Sequence, residues 1–143
     1  MLQLSRLMVA GLVLALALSA QADTMSIRYL KLEVMSYQLK SVTIEGTVRD
    51  LKVFPPHLGA AGKKSCVVYG SYAFTLIDDT GEMEVQKVGG CLVVDAKPPI
   101  ADGDVVTVVG QVPSFRVGES GASVDTIRIE AHNVVRTGHQ EYR

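Results

Sequence analysis

Cys66 and Cys91 are the only two cysteines in the 143 residues. In a chain built for export, an even pair forms a disulfide by default, because oxidising compartments keep thiols paired. Two other chemistries use cysteine. A redox pair is more often spaced C-x-x-C, which is absent here. A metal centre would need His57, His132 or His139 to join the two thiols, and no zinc-type spacing connects them. Arg49, Lys52, Lys63, Lys64 and Lys87 surround the same region, with Thr75 on the polar side of a strand between them. Brought together, these groups would bind an anionic ligand as point charges and hydrogen-bond donors; left apart, they are ordinary solvated charges. Glu82 and Glu84, with Glu45 on another strand, could act as acid and base only if one pKa were raised. Alternating positions on an exposed strand face serve solubility instead. No Ser/His/Asp arrangement, phosphate loop or metal motif is legible, so the expected protein is a binder without catalysis or cofactor.

The elements that must position these residues follow a leader. In MLQLSRLMVAGLVLALALSAQA, Arg6 precedes an apolar run from Leu7 to Leu18, and Ala20-Gln21-Ala22 ends it with small residues. That is the pattern of a secretory signal removed after Ala22. The run is short for a membrane anchor, which needs about 20 apolar residues. A periplasmic or secreted chain of residues 23–143 is expected, with no stable membrane insertion. Removing Arg6 leaves thirteen basic against fifteen acidic residues, a formal charge of −2. Such a balance supplies no global field for nucleic acid, whose binding rests mainly on Lys and Arg.

Ser26 followed by Ile27, Leu30 and Val34 predicts a short capped helix, against the strand alternation of Leu30, Leu32 and Val34. In SVTIEGTVRDLKV, Val42, Ile44 and Val48 point inward and Thr43, Glu45, Thr47 and Arg49 outward, with a bend or bulge at Gly46. FPPHLGAAGKKS is a loop by its prolines and glycines. YAFTLIDDTGEMEV is a hairpin: Tyr72, Phe74 and Leu76 face the core, Ala73, Thr75 and Ile77 face out, and Ile77 opposes Glu82. Asp78 and Gly81 bound the turn, with Gly81 free to take φ > 0. On this register Cys66 and Cys91 fall two positions short of direct opposition, and a bulge near Gly70 or Gly89-Gly90 would close the offset. VVTVVGQV is a β-branched strand buried on most of its length. In TIRIEAHNVV, Ile127, Ile129 and Ala131 face in. Residues 23–137 form one domain, and 138–143 form a polar, mobile tail. Five strands with regular turn spacing predict an all-β barrel with a short helix before the first strand.

KSVTIEGTVRD, YAFTLIDDTGEMEV, IADGDVVTVVGQV and IRIEAHNVV together resemble the OB-fold of anticodon-binding and single-strand-binding modules, in the form of signal-bearing OB proteins of bacteria. The resemblance covers nearly all of residues 23–143. It implies a site on the middle strands and the loop carrying Lys63 and Lys64, and a ligand that is single-stranded nucleic acid or another anionic oligomer. Compartment and charge point instead to an envelope protein partner, an envelope oligosaccharide or a small ligand, and a second class is a structural or stress-related interaction protein whose barrel is only a scaffold. The outward set Ser71, Ala73, Thr75 and Ile77 offers no ring for base stacking. The tail HQEYR, with His139 and Tyr142, is similar in kind to that of the periplasmic haem chaperone of cytochrome c maturation. That family's spacing is one residue longer, its tail continues further, and it keeps its membrane anchor.

Overall fold

The computed structural model describes residues 23–59, 66–91, 97–114 and 127–140. The leader-like segment, Lys63, Lys64 and Tyr142 lie outside the described residues. The chain begins with two short helices, α1 (Ile27–Leu32) and α2 (Val34–Tyr37). Helix spacing prevails over strand alternation because Ile27, Leu30 and Val34 share one face and are buried there, while Leu32 and Tyr29 stay exposed. The first N–H groups of α1 all find partners. Ile27 donates to Asp78 Oδ2 (2.8 Å), Arg28 to Thr80 Oγ1 (3.0 Å) and Tyr29 to Ser26 Oγ (3.3 Å). Ser26 is thus the cap the sequence predicts, and the β-hairpin supplies the rest.

The strands are β1 (Ser41–Val53), β2 (His57–Gly59), β3 (Cys66–Val68), β4 (Tyr72–Asp78), β5 (Gly81–Lys87), β6 (Asp104–Gln111) and β7 (Arg128–His139). Five of them close into a barrel in the order β1-β4-β5-β7-β6, with β6 returning to β1. Only β5 and β7 run parallel, and they pair over Glu84–Gln86 alone. This is the Greek-key order expected of an OB barrel. Phe74, Ile44, Leu76, Ile129, Val85 and Val106 fill the interior, and Ile27 and Leu30 of α1 complete the core. α1 lies beside the β4–β5 turn, so the Tyr72–Lys87 row is at the other end of the hairpin.

Several expectations need correction. Gly46 carries no bulge: it keeps register with Val106, and β1 changes partner from β6 to β4 around Thr47. Gly46 is required because a Cβ there would lie 2.6 Å from the Ile77 carbonyl oxygen. Gly46→Ala is therefore expected to cost about 1–3 kcal/mol by overpacking, read from a urea melt. The bulge lies between Arg49 and Lys52, where Asp50 has φ 54°. In the hairpin, Ile77 opposes Glu82 as predicted. The turn is closed by the Asp78 carboxylate rather than by a left-handed Gly81: positive φ among the described glycines occurs at Gly70 and Gly103. FPPHLGAAGKKS is not wholly loop, because His57–Gly59 pairs with Cys66–Val68 as a small second sheet. In β6 burial alternates, with Val106 and Val108 inside and Val105, Thr107 and Val109 half-buried. β7 runs on to His139, the second residue of the expected tail. There His139 Nδ1 lies 2.7 Å from Asp104 Oδ1, and Gln140 donates to the Gly103 carbonyl.

The Cys66–Cys91 disulfide is present, with Cα atoms 5.7 Å apart. Gly70 and Gly89 do not absorb the register offset. Tyr69 still pairs with Gly90 in hairpin register, and the offset arises beyond that bridge. Gly89 is needed for close approach, since a Cβ there would collide with the Tyr69 carbonyl oxygen.

Candidate binding groove

Strand pairing places side chains in rows across the outer face. Arg49, Thr75, Glu84 and Arg128 form one row; Lys52, Ala73, Gln86 and Glu130 form the next. Lys52 and Thr75 line a groove of about 420 Å³ with Asp50, Phe54, Ala73 and Glu84. Beside it, a second hollow of about 330 Å³ is lined by Phe54, Pro55, His57, Ser71, Gln86 and Val88. Phe54 is a wall of both. Its N–H donates to the Ser71 carbonyl (2.9 Å), while Ser71 Oγ accepts from Gly89 N–H (2.9 Å). The loop after β1 is thereby fastened over the middle strands.

The residues expected to act together divide into separate places. Lys52 and Thr75 share the groove. Arg49 is engaged with acids: its Nη2 lies 2.6 Å from Glu82 Oε2 and its Nε 3.4 Å from Asp50 Oδ2. An exposed pair of this kind is worth little energy, yet it neutralises the cation a ligand would meet. Lys87 is not on the outer face. It pairs with Tyr72, so it shares the inward parity of Tyr72, Phe74 and Leu76 and lines a different cavity. Lys63 and Lys64 are outside the described residues. The outer face is mixed in charge, with Glu82, Glu84 and Glu130 beside Arg49, Lys52 and Arg128.

Tyr72 and Phe74 are core residues, as expected, with their rings stacked at 6.2 Å between centroids. The missing outward ring is supplied by Phe54, 38 % exposed, from the loop instead of a strand. Its signal in the sequence was a lone aromatic at the end of β1, before Pro55-Pro56. His57 and Gln86 were missed as well; His57 Nδ1 lies 3.3 Å from the Pro55 carbonyl oxygen. No group of three or more His, Cys, Asp or Glu among the described residues could hold a metal ion. His139 is occupied with the buried Asp104 carboxylate, which also meets Arg136 Nε at 3.2 Å. Burial by itself would raise the Asp104 carboxyl. The His139 hydrogen bond, the Ala101 N–H and the Arg136 charge outweigh it and hold the group below the usual carboxylate range. No helix among the described residues is long and apolar enough to cross a membrane.

No protein-family model matches the sequence, and no curated protein matches it. Solved structures do match the fold. The aspartyl-tRNA synthetase of Entamoeba histolytica superposes with TM-score 0.57 at 12% identity, over 87% of this chain and 23% of that one. A putative aspartyl-tRNA synthetase of Leishmania major Friedlin gives TM-score 0.59 at 11% identity, over 90% and 23%. The fold is the OB-fold. At these identities the likeness reaches the fold alone, and the chain spans about a quarter of each synthetase's length.

Proposed function

We propose that this chain is an exported, non-catalytic OB-fold module that binds single-stranded nucleic acid, or an anionic oligomer of similar form, across β4 and β5. The observation that carries the reading is Phe54, fastened over the groove that Lys52 and Thr75 line. Phe54 offers a face for stacking, Lys52 a charge for a backbone anion, and Thr75 and Gln86 polar edges. The likeness to part of two tRNA synthetases supports the same ligand class. Export is supported by the leader-like residues 1–22 and by the disulfide, which persists in an oxidising compartment such as the periplasm. Mixed charge on the face implies weak binding with a shallow salt dependence.

The test is fluorescence anisotropy with labelled single-stranded DNA and RNA at several salt concentrations. Phe54→Ala is expected to weaken binding about tenfold, in line with roughly 1–3 kcal/mol per stacked base. Lys52→Ala should lower the salt slope by about one. Absence of binding at low salt, or binding indifferent to Phe54→Ala, would overturn the reading.

A second reading, a module for an envelope protein, is favoured by the helices. Tyr29 and Leu32 on α1 and Met35 on α2 are all at least half exposed. A helix that is apolar on both sides usually has a cover for each. A partner captured by the wild type and lost in Leu32→Asp/Met35→Asp, with oligonucleotide binding absent, would establish this reading in place of the first.

A further inference from the structure

Lys87 ends β5 on the inward side, directly across from Tyr72. Further into the hairpin, the same rows hold Phe74 with Val85 and Leu76 with Met83, which are core pairs. The inner stripe of the barrel thus ends in a lysine. Pairing of β5 with β7 stops at Gln86, and past that point the strands part. The gap is a cavity of about 400 Å³ lined by Lys87, Lys97, Tyr69, Tyr72, Asn133 and Val134, among others. No carboxylate is among its described lining residues, and no described residue forms an ion pair with Lys87 or Lys97.

Tyr72 adds a second, independent sign. Its side chain is 5 % exposed, and burial pushes its phenol above the ordinary value with no hydrogen bond to offset it. Yet no side-chain nitrogen or oxygen among the described residues is fully buried without a partner. The Tyr72 hydroxyl is therefore not sealed from solvent, and Tyr72 borders the hollow. Lys87, Lys97, Tyr72 and Asn133 all border this hollow, together with the apolar Val134 and the Tyr69 side of the hairpin. Polar groups few in number on an apolar lining are the usual anatomy of a small-molecule site.

We infer that this mouth of the barrel is a second binding site, separate from the outer groove, for a small oxyanion carried on an apolar or aromatic body. Lys87 and Lys97 hold the phosphate or carboxylate head as point charges, Tyr72 and Asn133 donate to its oxygens, and Tyr69 and Val134 cover the body. The site does not depend on the reading of the outer groove.

Titration calorimetry and tyrosine-ring NMR of the disulfide-bonded protein test it, with phenyl phosphate and benzoate as probes. Phenol serves as the neutral control and inorganic phosphate as the bare head. The expected result is saturable binding of phenyl phosphate or benzoate at one site, with Tyr69 and Tyr72 resonances shifted and phenol inert. Phosphate saturation with benzoate silent assigns the head as phosphate, and the reverse assigns a carboxylate. Lys87→Met and Lys97→Met should each weaken binding about threefold or more, as loss of one solvent-exposed charge contact does. Lys97 is exposed, so its variant should keep the wild-type melting curve even if Lys87→Met does not. No saturable binding up to about 10 mM, weaker than any affinity of functional interest, overturns the inference. So does binding indifferent to both lysine variants. Oligonucleotide binding should survive Lys97→Met; its loss there would merge the cavity with the groove and overturn a separate site.

Discussion

Breaking the Cys66–Cys91 bond is expected to lower the unfolding free energy by about 3–4 kcal/mol, the chain-entropy value for a closed loop of this length. The two cysteines are 25 positions apart, and the segment between them contains β3 and the whole β4–β5 hairpin. The bond therefore restricts the unfolded chain across the central hairpin of the barrel. It also holds the small sheet in place locally. β2 and β3 share only three residue pairs, and beyond β3 the Tyr69–Gly90 bridge is the next tie to the barrel. Paired urea melts with and without reductant, and of Cys66→Ala/Cys91→Ala, would measure the loss. The groove should weaken with it, because Phe54 and His57 are tied to Ser71 and Val68, which lie within the loop the bond closes. A change below about 1 kcal/mol would mean that the reduced, unfolded chain keeps its own structure around the hairpin.

Asp78→Ala should cost about 3 kcal/mol, with Asp79→Ala next to it within about 0.5 kcal/mol as the control. Asp78 Oδ1 accepts from Thr80 N–H (2.7 Å), Thr80 Oγ1 (2.6 Å) and Gly81 N–H (2.9 Å), while Oδ2 accepts from Ile27 N–H. One carboxylate thus closes the β-turn and fastens the start of α1. Hydrogen bonds to an ionised group contribute roughly 1.5–3 kcal/mol each, and those sharing one carboxylate do not add. Without it, the N–H of buried Ile27 loses its partner and α1 loses its seat. Helix loss by circular dichroism before global unfolding would identify that route. A variant that melts like wild type would show that Ile27 and Leu30 hold α1 by packing alone.

The same residue brings acid sensitivity. Burial would raise the Asp78 carboxyl, but the Ile27 N–H and the Thr80 and Gly81 donors together hold it below the usual range. Asp104 is lowered as well. A carboxyl whose folded pKa is below its unfolded value, about 3.9, binds fewer protons in the folded state. Its stabilisation is complete above about pH 4 and disappears as pH falls through the folded value. Stability should therefore drop with acid below about pH 4, and Asp78→Asn/Asp104→Asn should flatten that drop.

What could be read in advance was local. The Ser26 cap, the inward parity of Tyr72, Phe74 and Leu76, and the opposition of Ile77 to Glu82 depend on neighbours a few residues away. Even the place of Lys87 was available, because the hairpin register that pairs Ile77 with Glu82 also pairs Tyr72 with Lys87. Closeness in charge and sequence groups Lys87 with Lys52, but that register puts them on opposite faces of the sheet. The turn residues Asp78 and Gly81 are legible in the sequence, but the turn is closed by the Asp78 side chain and not by a left-handed Gly81.

By itself, the sequence determined a small β domain of five barrel strands, a capped helix ahead of them, and a disulfide-forming pair. Alternation and turn chemistry are short-range properties, and each residue carries its part of them wherever the strand ends up. Barrel closure decided the rest. It set Asp78 against Ile27 across 51 positions, brought Phe54 over β4 and β5, tied Arg49 to Glu82, and set Lys87, Lys97 and Tyr72 around one hollow. Those meetings depend on strand order and on where β5 parts from β7, and no stretch of residues encodes either alone.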